Sequence, residues 1–360
     1  MTEAVVTLEP DAADRLILDE AASLLSGATV LVVESLPLAE AARTAGAAGV
    51  RTWFDSASDV ETARALGFES GGTAADVDVV LVRLPKSLRA LDATVRAIAS
   101  TASGTVVVFA GGRLKYMTPR MNDLLLSGFE RLDVSLARQK SRVLIARFPR
   151  PVSTVEPELT RVDELDLLVA SVGGVFAGDS LDLGTRALLD AFGRLPEYAT
   201  AIDLGCGTGI LAAELKRRRP GATVIASDVS ADAVVSARGT MSANGLDVAV
   251  VHEAALASQP GASADLIVLN PPFHDGGAIS TALAGPLFDA AARVLRPGGQ
   301  LWTVFNSSLG YRRELGERVG STRQVARTSK FTVTASTRDG ATAQHFTIQQ
   351  NTNSTSGQGR

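Results

Sequence analysis

The chain holds one cysteine, Cys206, in 360 residues, so it has no internal disulfide framework and a reducing, cytoplasmic setting is expected. Histidine is almost as scarce. His252, His274 and His345 show no metal-ligand spacing, and no metal is expected. Aromatic residues make up 5%, which points to cores built from aliphatic side chains. No apolar run approaches bilayer length: residues 106–110 and 266–269 are strand-sized, so no membrane partner is expected. Glu3, Glu9, Asp11 and Asp14 stand where a secretory signal would be apolar, and no signal peptide is expected. A basic excess is missing too. The net charge of −4 argues against a positive coat around nucleic acid but leaves room for local patches.

What the chain has in plenty is alternation. Its length suggests two domains. Residues 148–157 carry Pro149, Pro151 and Pro157 without periodicity and read as a connector. Before it, strand-like runs at 29–33, 77–84 and 105–110 alternate with helical stretches at 38–48 and 88–100. After it, strands at 201–204, 224–227, 248–251, 266–269 and 300–305 alternate with helices at 210–219, 231–244 and 286–295. Such alternation implies parallel sheets covered on both faces. The expected fold is therefore α/β, with two tandem Rossmann-like, doubly wound domains. They span residues 1–152 and 160–349, followed by a polar, low-complexity tail at 350–360. An ancient duplication would account for the similarity of the halves.

The segment Asp203-Leu204-Gly205-Cys206-Gly207-Thr208-Gly209 joins a strand to a helix. Its glycines allow a sharp turn and close backbone approach to a ligand. The dinucleotide fingerprint G-x-G-x-x-G is broken, because the third glycine comes one position early. Asp203 would repel a pyrophosphate and suits a cation, so the loop favours S-adenosylmethionine, a phosphate-free sulfonium. Downstream, Asp228 ends the next strand and can accept both ribose hydroxyls, or serve as a helix N-cap. Further on, Asn270-Pro271-Pro272-Phe273 follows the apolar run 266–269. Proline stops a strand abruptly. An amide, a backbone carbonyl and a ring are thus presented at a strand's carboxyl end, where α/β sheets bind ligands. That set can grip a planar amine.

These motifs carry a resemblance. Residues 170–335 resemble the "small" methyltransferase family, and within it the ribosomal RNA guanine-N2 methyltransferases of the RsmC/RlmG type. The resemblance rests on Gly174-Val175-Phe176, Leu181-Asp182-Leu183-Gly184, the glycine loop, Asp228-Val229-Ser230, Ala243-Asn244-Gly245 and Asn270-Pro271-Pro272-Phe273-His274-Asp275-Gly276. The N-terminal half is similar to the same group through Leu84-Pro85-Lys86-Ser87 and residues 137–142, but lacks the glycine loop. Its counterpart of the Asn-Pro-Pro-Phe strand end reads Arg83-Leu84-Pro85-Lys86.

The resemblance implies a class I S-adenosylmethionine-dependent methyltransferase fold for the C-terminal half and an RNA-docking role for the degenerate N-terminal half. It implies donor contacts from Phe176, Asp203, Gly205, Cys206, Gly207, Gly209, Asp228, Val229 and Asn270. The family's usual Asn or Asp near the third strand end is replaced here by His252-Glu253-Ala254-Ala255, which makes Glu253 and Ala254 the nearest candidates for the adenine. Asn270, Pro271, Pro272 and Phe273 are the implied catalytic set. The Asn270 side-chain oxygen and the Pro271 carbonyl would bind the hydrogens of a guanine amine, with Phe273 stacked on an unpaired base. His274, Arg186, Lys140 and Arg142 are candidate substrate contacts. For Phe176 and Arg186, core packing and a solvated helix face are the alternatives, and for Cys206 a packing role is favoured over nucleophilic chemistry. Basic residues outnumber acids nine to three between Arg113 and Arg150, and a second excess runs from Arg312 to Lys330; these could track phosphates or be solvated faces. The implied partner is ribosomal RNA or an assembling ribosomal subunit, met by a monomer. Methylation of a glutamine amide or adenine N6, and a non-catalytic RNA-binding role, are the other readings. Deleting residues 1–150 is expected to weaken RNA binding and spare donor binding.

Overall fold

The computed structural model describes residues 8–153, 156–173, 175, 181–271 and 278–340, with side chains of the last stretch from 284. In the first half the strands are β1 (Thr29–Val33), β2 (Gly49–Trp53), β3 (Glu69–Ser70), β4 (Val79–Arg83), β5 (Val107–Arg113), β6 (Phe129–Val134) and β7 (Ser141–Pro149), with β-branched apolar runs in β1, β4 and β5. Helices α1 (Ala12–Leu25), α2 (Leu36–Thr44), α3 (Ala57–Ala65), α4 (Leu88–Thr101) and α5 (Pro119–Gly128) surround them. β1 and β4 are buried almost throughout, as parallel strands covered on both faces must be. Ser35, Ser56 and Ser87 cap α2, α3 and α4 by accepting the amide three residues on.

A hairpin, β8 (Glu158–Val162) and β9 (Leu167–Ser171), then leads into the second half. There follow α6 (Leu183–Asp190), β10 (Thr200–Leu204), α7 (Ile210–Arg218), β11 (Thr223–Asp228), α8 (Ala231–Ala243), β12 (Ala249–His252), β13 (Ala264–Leu269), α9 (Ala278–Val294), β14 (Leu295–Asn306), α10 (Tyr311–Arg318), β15 (Thr322–Arg327) and β16 (Phe331–Thr337). The hairpin is held by helix side chains spaced to match a strand. Ser236, Thr240 and Asn244 accept the amides of Val172, Ala170 and Leu168 at 3.0, 3.0 and 3.1 Å. Four helical residues rise about 6 Å, close to two residues of strand. Gly239 permits the approach, since a Cβ there would meet the Ala170 methyl at 2.7 Å.

The two seven-stranded sheets have the same order. The first runs β3-β2-β1-β4-β5-β7-β6 and the second β12-β11-β10-β13-β14-β16-β15. In each the penultimate strand in that order is antiparallel to both its neighbours. Register makes the halves comparable residue by residue. Val33 pairs with Val82 and Trp53, as Leu204 pairs with Leu269 and Ser227. Asn270 therefore corresponds to Arg83, Asp203 to Val32, Gly205 to Glu34 and Asp228 to Phe54. The expected doubly wound α/β fold is present twice. One expectation shifts: Pro286, read as the start of a helix, lies inside α9. Residues 278–284, Ala-Ile-Ser-Thr-Ala-Leu-Ala, favour or tolerate helix, so the helix begins well ahead of Gly285 and the proline.

Candidate active site

The carboxyl ends of β10, β11 and β13 bring the sequence motifs together. Gly205, Gly207 and Gly209 all take positive φ (71°, 53° and 82°), and Gly209 caps α7. A side chain at 209 would strike Met241 at 2.8 Å, whereas the space beside Gly205 and Gly207 is open within 4 Å. The loop is pinned from the next strand: Ser227 O accepts the Gly205 and Cys206 amides, and Asp228 Oδ2 accepts the Gly207 amide at 2.8 Å. Asp228 Oδ1 accepts the Ser230 amide at 2.9 Å, while Ser230 itself caps α8. Burial raises the Asp228 carboxyl above its ordinary value, and those two amide bonds work against the rise.

Asp203 is fully buried inside β10 rather than presented at its end. Its Oδ2 accepts the Ala212 amide at 3.0 Å, tying α7 to the strand, and its Oδ1 has no partner. Burial pushes its pKa up to about 7, with the Asp228 carboxylate adding to the rise. Burial, followed by the carboxylates of Asp203 and Asp228, drives the Cys206 thiol well above its ordinary range. The thiol is protonated, which removes the thiolate that nucleophilic chemistry needs.

Asn270 follows Leu269, whose strand partner Leu204 precedes Gly205, so the amide stands at the mouth of the glycine turn. Its Nδ2 donates to Thr185 Oγ1 at 3.0 Å and to Asp182 Oδ2 at 3.3 Å. Asp182 is the N-cap of α6. With the nitrogen so engaged, the Asn270 Oδ1 is buried and without a partner. Gly184 lies against this amide: a Cβ there would come within 3.0 Å of Oδ1. Pro271 is buried beside it. Asp182 and Thr185 were not among the expected site residues. Their signals in the sequence were the family segment Leu181–Gly184 and the N-cap pattern of an Asp before Leu-Gly-Thr.

Other expected residues lie differently. Glu253 turns inward, accepting Ser227 Oγ and Gln259 Nε2 through Oε1 and the Ser258 amide, at 2.6 Å, through Oε2. Its oxygens organise the loop after β12, so it is not a free acceptor for an adenine amine; Ala254 follows it in the same turn. Val229 is 42% exposed next to Asp228. Arg186 is held by both carboxylate oxygens of Glu164, which occupies the fork a phosphate would need. Lys140 stands at the turn into β7 and Arg142 within β7, in the N-terminal sheet and not in the sheet of β13 that leads to Asn270. Phe176, Pro272, Phe273 and His274 lie outside the described residues. Lys216, Arg217 and Arg218 form the last turn of α7, as a helix dipole favours. Among the described residues no group of three or more potential ligands could hold a metal, and no helix is long and apolar enough to cross a membrane.

The halves touch at their carboxyl edges. Ser56 and Ser230 form an antiparallel bridge, with the Ala57 amide donating to Val229 O at 2.8 Å and the Ala231 amide to Asp55 O at 2.9 Å. The Asp55 side chain accepts Ser230 Oγ at 3.0 Å and the Asp232 amide at 2.9 Å. His252 Nε2 lies 3.0 Å from both Asp55 O and Val229 O.

Comparison with known proteins agrees with this layout. Residues 166–335 match the model of the methyltransferase small domain, and residues 60–150 match that of the RLMG N-terminal domain. Ribosomal RNA large subunit methyltransferase G of Streptomyces coelicolor is 38% identical, over 71% of this chain and 71% of its own length. The protein of the same name from Shewanella amazonensis is 34% identical, over 71% and 67% respectively. Among solved structures, the T. thermophilus 16S rRNA N2 G1207 methyltransferase RsmC, in complex with AdoMet and guanosine, superposes with a TM-score of 0.74 at 23% identity, covering 89% of this chain and 92% of that one. The chain belongs to the small-domain methyltransferases and, among them, to the family of ribosomal RNA large subunit methyltransferase G.

Proposed function

We propose that this protein transfers a methyl group from S-adenosylmethionine to the exocyclic N2 amine of a guanine in large-subunit ribosomal RNA. The observation that carries the reading is the Asn270 amide. Its nitrogen is anchored by Asp182 and Thr185, and its oxygen is buried without a partner at the mouth of the glycine turn. A buried acceptor left unpaired costs about 1–3 kcal/mol, which a donor on the substrate would recover. The guanine amine is such a donor. The curated relatives act on ribosomal RNA by name, which favours RNA over a protein amide.

The residues present fit the methyl donor. The second oxygen of Asp203 is an unpaired buried acceptor suited to a cation, and the open backbone at Gly205 and Gly207 gives a ligand room. Asp228 and Val229 would take the ribose side. When bound, the donor supplies an electrophilic methyl on sulfur. Asn270 Oδ1 and the Pro271 carbonyl accept the two amine hydrogens and aim the nitrogen lone pair. Orientation of this kind contributes part of the roughly 7–11 kcal/mol available from positioning. The amine becomes acidic only as it is alkylated and then releases one proton to water, so no strong base is needed, and Cys206 remains a protonated thiol. Residues 160–349 form the catalytic unit in this reading, and residues 1–152 the RNA-docking unit.

Replacement of Asn270 tests the reading. Asn270→Ala should leave donor affinity by calorimetry within about threefold and lower kcat by about 100–1,000-fold, the range for losing one preorganised polar contact. An unchanged kcat would reject the assignment.

A further inference from the structure

The N-terminal half has lost its donor pocket. Val32 replaces Asp203, Phe54 replaces Asp228, and Glu34 stands where the glycine loop begins. Its equivalent of the Asn-Pro-Pro-Phe slot is nevertheless a lined hollow. Arg83, Leu84, Pro85, Lys86, Gly112 and Tyr116 surround a cavity of about 130 Å³ at the carboxyl ends of β4 and β5. Arg83 is neutralised by Asp11 and Asp14. The rim is not neutralised. Tyr116 is 44% exposed, with the Lys86 and Lys115 ammonium groups 4.8 and 4.5 Å from its ring centroid. The Lys140 carbonyl accepts the Leu114 amide at 2.9 Å, which brings the exposed Lys140 turn to the same edge. Among the described residues no carboxylate pairs with Lys86, Lys115 or Lys140, whereas Arg120, Arg131, Arg138 and Arg147 of the same basic stretch are all paired. The hairpin loop before Lys140 also carries Leu136, 84% exposed.

We infer that this hollow is a second nucleotide-binding site, which holds an unmethylated, unpaired base of the RNA substrate against Tyr116 with its phosphates on Lys86, Lys115 and Lys140. The inference rests on the proposed RNA substrate and adds a site to it. The chemistry is inverted relative to the catalytic slot: acceptors for an amine there, cations for an anion here. Every base has a face that stacks on a phenol ring, and stacking outweighs an exposed cation–π contact, so a base displaces an ammonium from the ring and frees it for phosphate. An acidic peptide would satisfy the lysines but leave the ring unused. Both slots lie two strands from the Ser56–Ser230 contact, about 10 Å on each side at normal strand spacing. In this proposal one RNA strand spans the junction between them.

The test uses the full chain with saturating donor, an unmodified large-subunit ribosomal RNA transcript and, separately, a labelled oligouridine 12-mer. Tyr116→Ala should raise KM for the transcript by about 5- to 150-fold, equivalent to roughly 1–3 kcal/mol at 1.4 kcal/mol per tenfold. Its kcat should stay within about twofold, because the catalytic slot is untouched. The Kd for the 12-mer should rise by a similar factor, and Tyr116→Phe, which keeps the ring, should restore both. An unchanged KM and Kd in Tyr116→Ala, a Phe variant as weak as Ala, or displacement of the 12-mer by poly-glutamate as readily as by RNA would each overturn the inference. A wild-type chain that leaves guanine N2 unmethylated would sink the functional reading instead, and the 12-mer measurement would still judge this site.

Discussion

At the scale of single residues, the site is a set of acceptors with unmet valence. Asp203 shows what that costs. An aspartate whose folded pKa lies near 7 binds a proton in the native state that the unfolded chain has released above its ordinary value of 3.8. The unfolded state thus holds fewer protons between about pH 4 and 7, and stability falls as pH rises through that window. The integrated penalty is at most about 4 kcal/mol. Asp203→Asn should therefore raise the Tm of the donor-free protein at pH 8, leave it unchanged near pH 4, and abolish donor binding. A Tm difference that does not vary with pH would refute the ionisation argument. Part of this was legible in the sequence. The glycine loop, Asp228 and Asn270 declare themselves by type and order. The inward turn of Glu253 does not, because Ser258 and Gln259 compete for it only after the loop closes. Nor does the orientation of the Asn270 amide, which is set by Asp182 and Thr185 from another element.

At the scale of elements, the two halves repeat one construction. The helix before each sheet is capped by an aspartate, Asp11 on α1 and Asp182 on α6. The residue ending the fourth strand reaches back to that cap. In the C-terminal half Asn270 bonds Asp182 and Thr185; in the N-terminal half Arg83 bonds Asp11 and Asp14, the latter at 2.7 Å. An uncharged amide leaves an oxygen for a substrate, whereas a guanidinium consumes both carboxylates. Arg83→Met should destabilise the protein by about 2–3 kcal/mol, read as a lower urea midpoint at unchanged m, since the buried Asp14 loses its cation and keeps only the Ser35 hydroxyl and the Asp11 amide. A loss below about 0.5 kcal/mol would mean the pair is no more than a surface contact. Hydrophobic alternation made about half of the strands and helices of the described residues readable, among them β1, β4, β5 and β10–β14. The hairpin β8–β9 carries no such signal, because the residues that hold it, Ser236, Thr240 and Asn244, lie 64–76 residues away.

At the scale of the whole molecule, the junction between halves bears on the donor pocket. Asp55 of the N-terminal half bonds the first turn of α8, directly after Asp228 and Val229. We therefore propose that donor binding depends in part on residues 1–150. Asp55→Ala should weaken donor affinity by about three- to tenfold, as loss of one or two polar contacts at a helix start implies, with little change in Tm. Removal of the N-terminal half should weaken it at least as much. Calorimetry decides, and an unaltered donor Kd in Asp55→Ala would restore the modular picture.

The Ser56–Ser230 junction joins the same loop of each half to its counterpart, the arrangement found where two identical subunits meet across a dyad. In a true homodimer every substitution is copied into both partners, so one pocket cannot be given up without losing the other. With both copies on one chain that constraint vanishes, and a mutation such as Asp to Val or Asp to Phe at one donor pocket leaves its twin intact.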